Sequence, residues 1–498
     1  MRHIFFRVIL AAGLAAPAIA AHAAPPAAVA AQWQALTQRD VEAAYDLLEN
    51  NHPGALAVTG DRAFVAHLKA AHELALERAA TVTDFPGYLA TLGGFADAMG
   101  DGHIRDVALY APKLYQWPGF VAARRGASWV VAKEDRAVAG ADLVGARIVA
   151  CDGTPVDSWA REVLSFQTVA SVAALEVVHS RGLLLDDGNP FVHWPKTCTF
   201  EKNGARQTLP LHWTRVFASE LSDNYNVPVY GKAGYGVSRW RQGYWIAIQQ
   251  LSYKAGAVVA AAKQDETALR NTPYVVIDLR GNGGGDDSYG RRLATILYGK
   301  ARVEAMLGPD TAQGGCDETW RASPGNIAAD TAMAEQFRKE GETTGAEGYR
   351  RAVGQMKAAL AAGKALTGPV VCHDKIVSTA RAPAAKVHGP VIVLTDSVCF
   401  SSCIGTVGFF HKLGAVQVGM ETGADTHYGE VRRIVLPSGL SVFSTLQAIE
   451  PDEPLHLGPY APARRFTFGG DIADTAAVRA WIAKRVLPKL AAGHSGIF

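Results

Sequence analysis

The sequence has little of what marks proteins that bind nucleic acid or membrane surfaces. Its 49 basic and 47 acidic side chains leave a formal net charge of only +2, and no cluster of basic residues stands out. A surface that binds nucleic acid or anionic lipid needs such a cluster. We therefore expect neither nucleic acid nor a lipid surface as a partner.

Long apolar runs are equally scarce, and the one that stands out lies at the start of the chain. A basic start with Arg2 and Arg7 precedes an apolar stretch over residues 8–21, and a small-x-small pattern follows at 21–23. These are the three parts of a secretory signal peptide. The stretch is shorter than the ~20 residues that span a bilayer, so we expect a signal peptide over 1–23 rather than an anchor. The mature protein is then expected in the periplasm or secreted, with no membrane span.

The few cysteines do not form the closely spaced pairs that a zinc site needs. The six are Cys151, Cys198, Cys316, Cys372, Cys399 and Cys403. An even number permits disulfides in an exported protein. We expect Cys316–Cys372 to clamp the base of an insertion, and Cys399–Cys403 either to lock a turn or to remain two buried thiols. No metal ion and no cofactor is expected.

A multi-domain α/β fold is predicted from where helical and strand patterns fall along the chain. The predicted regions are a signal peptide (1–23), a helical N-terminal segment (28–110), a small β-rich module (112–215), an α/β core in two parts (230–305 and 380–490) and a helical insertion between those parts (306–379). In the helical segment, Asp40 is the expected N-cap of a helix. In the core, the apolar runs at 274–279 and 391–394 indicate a buried sheet.

The β-rich module carries a local pattern of its own. An Asp-Gly pair at 152–153 follows an apolar strand and predicts a hairpin, because this pair favours a tight turn. The segment 143–156 (L-V-G-A-R-I-V-A-C-D-G-T-P-V) resembles the PDZ pattern L-x-x-G-D-x-I-x-x-V-N-G, with Ala146 where Asp is usual. PDZ folds bind peptide ends by strand addition, so such a module would dock or gate a substrate. A small β-rich domain of another kind is the alternative.

The first candidate for chemistry is the segment D-L-R-G-N-G-G-G at 278–285, here called the glycine loop. It follows a predicted strand and precedes a helix, so backbone N–H groups and the helix dipole can converge on a negative atom. It lacks the Gly-Lys-Ser/Thr of a phosphate-binding loop and the spacing of a dinucleotide fingerprint. An oxyanion hole, which needs only one or two backbone donors, and a plain tight turn remain.

The second candidate is the segment L-T-D-S-V-C-F-S-S-C at 394–403, here called the serine turn. It leads from an apolar strand into a helix and puts Ser401 at or near the helix N-terminus, where developing negative charge is stabilised. Ser401 is therefore a candidate nucleophile, and Ser402 adds a backbone N–H beside it. A serine that only caps the helix is the simpler alternative.

The two segments, about 115 residues apart, together resemble the tail-specific (C-terminal processing) protease family of serine peptidases. The trailing G-M-E-T-G at 419–423 matches that family too, as does the order of parts along the chain. The resemblance covers most of the mature chain. It implies a catalytic core of the ClpP/crotonase-like type behind a PDZ-like module, and it puts Ser401 at the nucleophile position. The glutamate that follows the family's nucleophile has no counterpart here.

The general base is suggested by a departure from the family pattern. Many members pair the serine with a lysine in a G-x-x-T-x-G-K loop, but the segment G-M-E-T-G-A-D-T-H at 419–427 has no lysine. Tricorn-like members use a histidine upstream of the PDZ module, and His103 in the segment M-G-D-G-H (99–103) stands at that place. Histidine is suited to accept a serine proton near neutral pH. His103 is the expected base and His427 the alternative; a loop-capping role for the first and a surface position for the second are the simpler interpretations.

A third group should orient the histidine. Tricorn-like enzymes use a late glutamate, so the resemblance points to Glu450, with Glu453 as a second candidate. Asp101, two residues from His103, is another candidate for this role, although it is expected rather to shape the loop.

These features predict an exported serine peptidase that acts on a peptide or protein substrate. Ser401 attacks the acyl carbon and His103 takes its proton. The backbone N–H groups of Gly283, Gly284 and Ser402 hold the oxyanion, and water then releases the acyl-enzyme. The alternatives are a catalytically inactive protein of the same fold that binds peptides or small ligands, and an esterase or amidase with the same machinery. The sequence does not indicate an oligomeric state.

Overall fold

The computed structural model describes residues 27–110, 114–169, 172–224, 227–308, 318–371, 382–451, 453–466 and 472–494, apart from the side chains of 222–224 and 491–494. The predicted signal peptide and the predicted Cys316–Cys372 disulfide lie outside these residues. Within them, no helix is both long enough and apolar enough to cross a bilayer.

The chain opens with three helices that pack around a shared apolar core. They are α1 (Ala27–Asn51), α2 (Arg62–Ala79) and α3 (Phe85–Ala98). The prediction that Asp40 caps a helix is wrong, because α1 begins 13 residues earlier, at Ala27. The stretch before Asp40 is rich in alanine, which has a high helix propensity even where no apolar periodicity marks a helix. Asp40 is instead fully buried inside α1. Its carboxylate accepts hydrogen bonds from the Tyr88 hydroxyl at 2.9 Å and from Ser438 N–H at 3.1 Å.

Short strands follow in the middle of the chain. They are β1 (Asp106–Ala108), β2 (Leu114–Trp117), β3 (Phe120–Arg125), β4 (Ser128–Glu134), β5 (Arg147–Cys151), β6 (Thr154–Pro155), β7 (Thr197–Lys202), β8 (Ala205–Pro210) and β9 (Thr214–Phe217), with helices α4 (Arg136–Ala139), α5 (Val156–Leu164), α6 (Ala173–His179) and α7 (Ala218–Asn224). Strands β3, β4, β5, β7 and β8 form one antiparallel sheet, and β2 pairs with β9. The predicted hairpin is confirmed, since Asp152 and Gly153 join β5 to β6 with positive φ angles. A Cys151–Cys198 disulfide links β5 to β7.

The rest of the chain alternates strands with helices. The strands are β10 (Tyr235–Trp240), β11 (Gly243–Ile248), β12 (Val275–Asp278), β13 (Thr319–Trp320), β14 (Val391–Thr395), β15 (Val416–Gly419), β16 (Asp425–Thr426), β17 (Tyr428–Val435), β18 (Ser441–Ile449), β19 (His456–Leu457) and β20 (Arg464–Arg465). The helices are α8 (Tyr253–Gln264), α9 (Glu266–Arg270), α10 (Ser288–Tyr298), α11 (Lys300–Leu307), α12 (Pro324–Glu340), α13 (Thr343–Ala361), α14 (Ser402–Lys412), α15 (Thr475–Trp481) and α16 (Leu487–His494).

The core is a six-stranded sheet in the order β10-β11-β12-β14-β15-β20, parallel except for the β10–β11 hairpin. One face packs against α8, α10 and α14, and the other against α15 and the helical turns after it. Every residue of β11, β12 and β14 is buried, as strands covered on both faces require. Because β12 and β14 are parallel neighbours, the glycine loop and the serine turn leave the sheet side by side at the same edge.

A second, antiparallel sheet joins distant parts of the chain. Strand β18 pairs with β1, β13 and β17, so the end of the N-terminal segment and the start of the α12–α13 helical hairpin share one sheet. Leu436 and Phe443 pack into the core of α1–α3, and Ala448 packs with α13. This sheet carries the loop that follows α3 to the edge of the core sheet.

Buried charges hold that edge together. Arg280 and Asp278, both without solvent exposure, form two hydrogen bonds, Nε to Oδ1 at 2.9 Å and Nη2 to Oδ2 at 2.7 Å. The buried Asp396 carboxylate accepts N–H groups from Gly231 at 2.7 Å and Gly281 at 2.9 Å. The glycine loop and the serine turn are thereby bonded to each other directly.

We expect Arg280→Ala to lower the free energy of unfolding by about 3–5 kcal/mol, because it leaves the Asp278 carboxylate buried without its partner. The measurement is chemical denaturation followed by circular dichroism. Arg350→Ala is the matched control: Arg350 forms an exposed pair with Glu347 at 3.9 Å, and its removal should change stability by less than about 0.5 kcal/mol. Equal effects of the two substitutions would contradict the structural role of the buried pair.

Candidate active site

The serine turn holds Ser401 in a backbone conformation that serine rarely adopts. Ser401 has φ +56° and ψ −136° and directly precedes α14. Such a conformation costs on the order of 1–3 kcal/mol and persists only where the surroundings impose it. A disulfide between Cys399 and Cys403 spans the turn, which is the pairing expected of a locked turn. The result is a sharp strand-to-helix turn of the kind that presents the nucleophilic serine in α/β-hydrolases.

The glycine loop lies directly against Ser401, and Gly284 is the point of contact. A Cβ on Gly284 would stand 2.7 Å from the Ser401 Cβ, and the φ of Gly284 is +104°. Gly284 N–H is not free, because it donates to the Asn282 side chain at 2.9 Å. Gly283 N–H makes only a long 3.3 Å bond to the Gln250 amide oxygen.

Ser402 supplies the donor nearest to the nucleophile. Its N–H lies in the first turn of α14 and has no hydrogen-bond partner in the part of the chain that the structure describes. The Ser402 hydroxyl donates to Gly285 O at 2.5 Å, which ties α14 to the glycine loop. Of the three predicted oxyanion donors, Ser402 and Gly283 N–H groups are therefore the ones a substrate oxygen can reach without breaking a short bond.

His103 reaches the same place from the N-terminal segment. Gly102 allows this approach, since a Cβ there would come within 2.9 Å of the Phe400 ring. The His103 ring then packs on Phe400, the residue before Ser401, with ring centroids 4.5 Å apart. Ser444 fixes the loop from below by donating to His103 O at 2.6 Å.

Two carboxylates face the same nitrogen of His103. Asp101 Oδ1 and Asp425 Oδ1 each lie 3.2 Å from His103 Nδ1. Burial alone would lower the pKa of His103, but hydrogen bonds and charge from both carboxylates outweigh it and raise the pKa to about 10. Burial raises the pKa of Asp425. Asp101 is further fixed by Thr426, whose hydroxyl donates to its second oxygen at 2.6 Å.

Ser401 and His103 line one cavity of 560 Å³. Its walls come from the two loops at the edge of the core sheet, from the strands β1, β17 and β18, and from helix α6. Leu175 and Val178 of α6 face the nucleophile across the cavity. The β-rich part of the chain thus contributes directly to the site.

The other predicted site residues lie elsewhere. Glu450 is exposed, and within the described residues no hydrogen bond or ion pair joins it to His103. Glu453 lies 3.9 Å from the Lys412 ammonium. His427 is buried, its ring packs at 4.6 Å against the tyrosine that follows it, and it does not line the cavity.

Asp425 is the functional candidate that sequence reasoning missed. It lies in the 419–427 segment, which has no lysine at the family's lysine position. An acidic residue in that segment is a signal from which a partner for the histidine can be inferred. Asp101, His103 and Asp425 place three potential metal-ligand atoms within 4.8 Å of one another. Both carboxylates are at hydrogen-bonding distance from Nδ1 of the same imidazole.

We expect Gly284→Ala to slow labelling of Ser401 by a fluorophosphonate at least about 100-fold, because the new methyl group must displace the nucleophile and a small displacement is that costly. The measurement is the second-order rate constant of labelling. Gly354→Ala in α13 is the control, since its Cβ meets nothing within 4 Å, and it should label like the wild type. Undiminished labelling of Gly284→Ala would mean that the close contact does not position Ser401.

Comparison with known proteins agrees with this geometry. Residues 243–452 match the model of peptidase family S41, a range that holds the glycine loop, the serine turn and Asp425 but not His103. A comparison with curated protein sequences finds no significant match. The chain resembles the structure of mature CPAF complexed with lactacystin, with 13% identity, a TM-score of 0.59, and coverage of 92% of this chain and 98% of that chain.

A second structure of mature CPAF is 14% identical, with a TM-score of 0.58 and coverage of 94% of this chain and 99% of that chain. At this identity the likeness shows a shared fold. The family match confirms the relationship that the two motifs predicted. Residues 243–452 thus carry the signature of peptidase family S41, in agreement with the predicted resemblance to the tail-specific or C-terminal processing proteases, and the chain is a serine-type peptidase.

Proposed function

We propose that the protein is an exported serine peptidase that cleaves peptide bonds through an acyl-enzyme on Ser401, with His103 as general base. The observation that carries the proposal is the shared cavity, in which a strained serine at a helix N-terminus meets a histidine held by two carboxylates. A serine that merely caps a helix needs neither the strain nor the histidine.

The proposed mechanism follows from which atoms are already occupied. His103 Nδ1 is held by Asp101 and Asp425, so Nε2 is left to take the proton of the Ser401 hydroxyl. The alkoxide oxygen attacks the carbonyl carbon, and the oxyanion is stabilised by Ser402 N–H and by Gly283 N–H once the Gln250 oxygen yields. Asp101 and Asp425, rather than Glu450, are proposed to orient His103.

A peptide substrate is favoured over a small ester or amide. Of the described residues that line the cavity, Phe400 alone is a phenylalanine, tyrosine or tryptophan, and one such ring does not make the aromatic enclosure expected around a small ligand. Helix α6, within the region that resembles a PDZ module, forms one wall. A peptide docked on that module could therefore run into the catalytic cavity.

Action in the periplasm or outside the cell is part of the proposal. Beside the predicted signal peptide, it is supported by the Cys151–Cys198 and Cys399–Cys403 disulfides, because disulfides persist in oxidising compartments.

The mature protein should react with a fluorophosphonate probe and cleave an unstructured protein such as casein. We expect Ser401→Ala and His103→Ala to lose both activities, since each removes one half of the nucleophile–base pair. Labelling and cleavage are measured on gels, with the fold of each variant checked by circular dichroism.

His427→Ala is the control for the base, and it should keep both activities. Loss in His427→Ala but not in His103→Ala would reverse the assignment of the base. Labelling without cleavage of any peptide would favour the esterase or amidase alternative. A folded wild type that shows no labelling would favour the inactive binding protein.

Peptidase activity should rise with pH well beyond neutrality, because the base acts only when neutral and the pKa of His103 is raised to about 10. Asp425→Asn removes one of the two carboxylates that raise this pKa. We expect the pH at which kcat/KM rises to fall by about 1–3 units. The maximal kcat/KM should also be lower, since the imidazolium formed during attack loses a partner.

Glu347→Gln, which changes an exposed acid on α13, should leave the profile in place. An acidic residue with only a structural role would lower the rate without moving the limb. A wild-type profile that is already flat by pH 7 would contradict the proposed environment of His103.

A further inference from the structure

Two arginines flank one serine on the floor of the catalytic cavity. Ser444 of β18 exchanges hydrogen bonds with Arg105 on one side, its N–H donating to Arg105 O at 3.0 Å and its hydroxyl accepting from Arg105 N at 2.8 Å. On the other side it is in register with Arg433 of β17. All three residues line the cavity that holds Ser401. With two strand spacings between them, the arginine backbones lie about 10 Å apart.

The charge of these arginines is not cancelled inside the cavity. Among the described residues, none that line it is an aspartate or a glutamate. Within the described residues neither arginine forms an ion pair; the one side-chain bond of Arg105 is from Nε to the Gly102 carbonyl, which leaves its terminal nitrogens free. Burial raises the pKa of Asp97 well above its usual range and outweighs the charge of Arg105, which lowers that pKa.

The remaining titratable groups around the cavity do not change this balance. Asp101 and Asp425 are paired with His103. Burial, together with the charges of Arg105 and Arg181, lowers the pKa of His179 to about 4, so His179 is neutral near pH 7. The cavity therefore presents two guanidinium groups to whatever lies over Ser401.

Apolar side chains border the arginines. Val107 and Val442, which are paired across β1 and β18, continue the floor, and Leu175 of α6 faces them from the wall. A peptide in this cavity meets a basic row beside an apolar surface.

We propose that Arg105 and Arg433 make this peptidase selective for substrates with an acidic side chain close to the scissile bond, next to an apolar residue. The inference rests on the proposed function and names its substrate class. Guanidinium groups bind carboxylates through strong, directional hydrogen bonds. A substrate with a lysine at the same place would meet like charges, which disfavours it.

The test uses peptides with blocked termini, identical except for Glu, Gln or Lys at successive positions on either side of the scissile bond. We expect wild-type kcat/KM to be at least about 10-fold higher for the best Glu peptide than for its Gln counterpart, with the Lys peptide lowest. The preference should shrink as salt rises, because exposed charges are screened.

In Arg433→Gln we expect the Glu-to-Gln ratio to fall at least about threefold, and in the double variant with Arg105→Gln it should approach one. A merely structural effect would lower both peptides together and leave the ratio unchanged. Arg350→Gln, in an exposed pair on α13, should keep the wild-type ratio.

A further pair of peptides, with and without a free C-terminal carboxylate, separates the two sources of negative charge. A higher kcat/KM for the peptide with a free C-terminus, together with no increase for an internal Glu, would overturn the proposal. Equal kcat/KM values for the Glu and Gln peptides would overturn it as well. Both results presuppose that the wild type reacts with the fluorophosphonate. If it does not, the proposed function fails first, so the two failures remain distinct.

Discussion

The active site depends on one buried carboxylate, Asp396. It lies near the start of the serine turn and accepts N–H groups from Gly231, from Gly281 in the glycine loop and, at 3.2 Å, from Val398 in its own turn. Burial raises the pKa of Asp396 to about 7, against the pull of these donors. An acceptor with two oxygens, placed between three segments, fixes their spacing more tightly than apolar packing could.

That spacing matters because Ser401, the proposed nucleophile, and the glycine loop, which holds one of the proposed oxyanion donors, follow different strands. Adjacent parallel strands bring the glycine loop and the serine turn to one edge of the sheet, but the strands alone do not fix the distance between the two loops. The Asp396 bonds, the Arg280–Asp278 pair beside them and the Ser402 hydroxyl bond to Gly285 remove the remaining freedom. Glycine at 284 then permits the final approach to Ser401. A preorganised site of this kind needs little rearrangement when charge develops.

The sequence predicted the parts of the site that are encoded locally. Apolar strands followed by a glycine run or a serine turn are patterns within ten residues, so the two core strands and the position of Ser401 at the start of a helix could be read directly. Asp101 could be named as a candidate partner of His103 from its place in the same loop, but Asp425 could not, because the two carboxylates meet only after β18 has paired with β1 and β17. For the same reason the burial of Asp40 escaped prediction: its partners Tyr88 and Ser438 come from α3 and from the β17–β18 connection.

The family resemblance agreed with the structure for the first two site residues and differed from it for the third group. It pointed to Ser401 and to the loop of His103, which line one cavity, since these keep the family's order along the chain. It pointed to a late glutamate for the third group, whereas here the carboxylates on His103 come from the base loop itself and from the segment before β17. An orienting acid needs only a carboxylate within hydrogen-bond reach, so different parts of a fold can supply it.

The two disulfides within the described residues have different physical consequences because the loops they close differ in length. Cys151–Cys198 spans 47 residues, and in the chain-entropy view such a closure stabilises the fold by about 4 kcal/mol. Cys399–Cys403 spans only 4 residues, which gives about 2 kcal/mol by the same relation. That smaller amount is similar to the cost, on the order of 1–3 kcal/mol, of holding a non-glycine residue at the φ of Ser401. The short disulfide therefore stabilises the fold by about as much as the strained nucleophile destabilises it, at the position where the strain occurs.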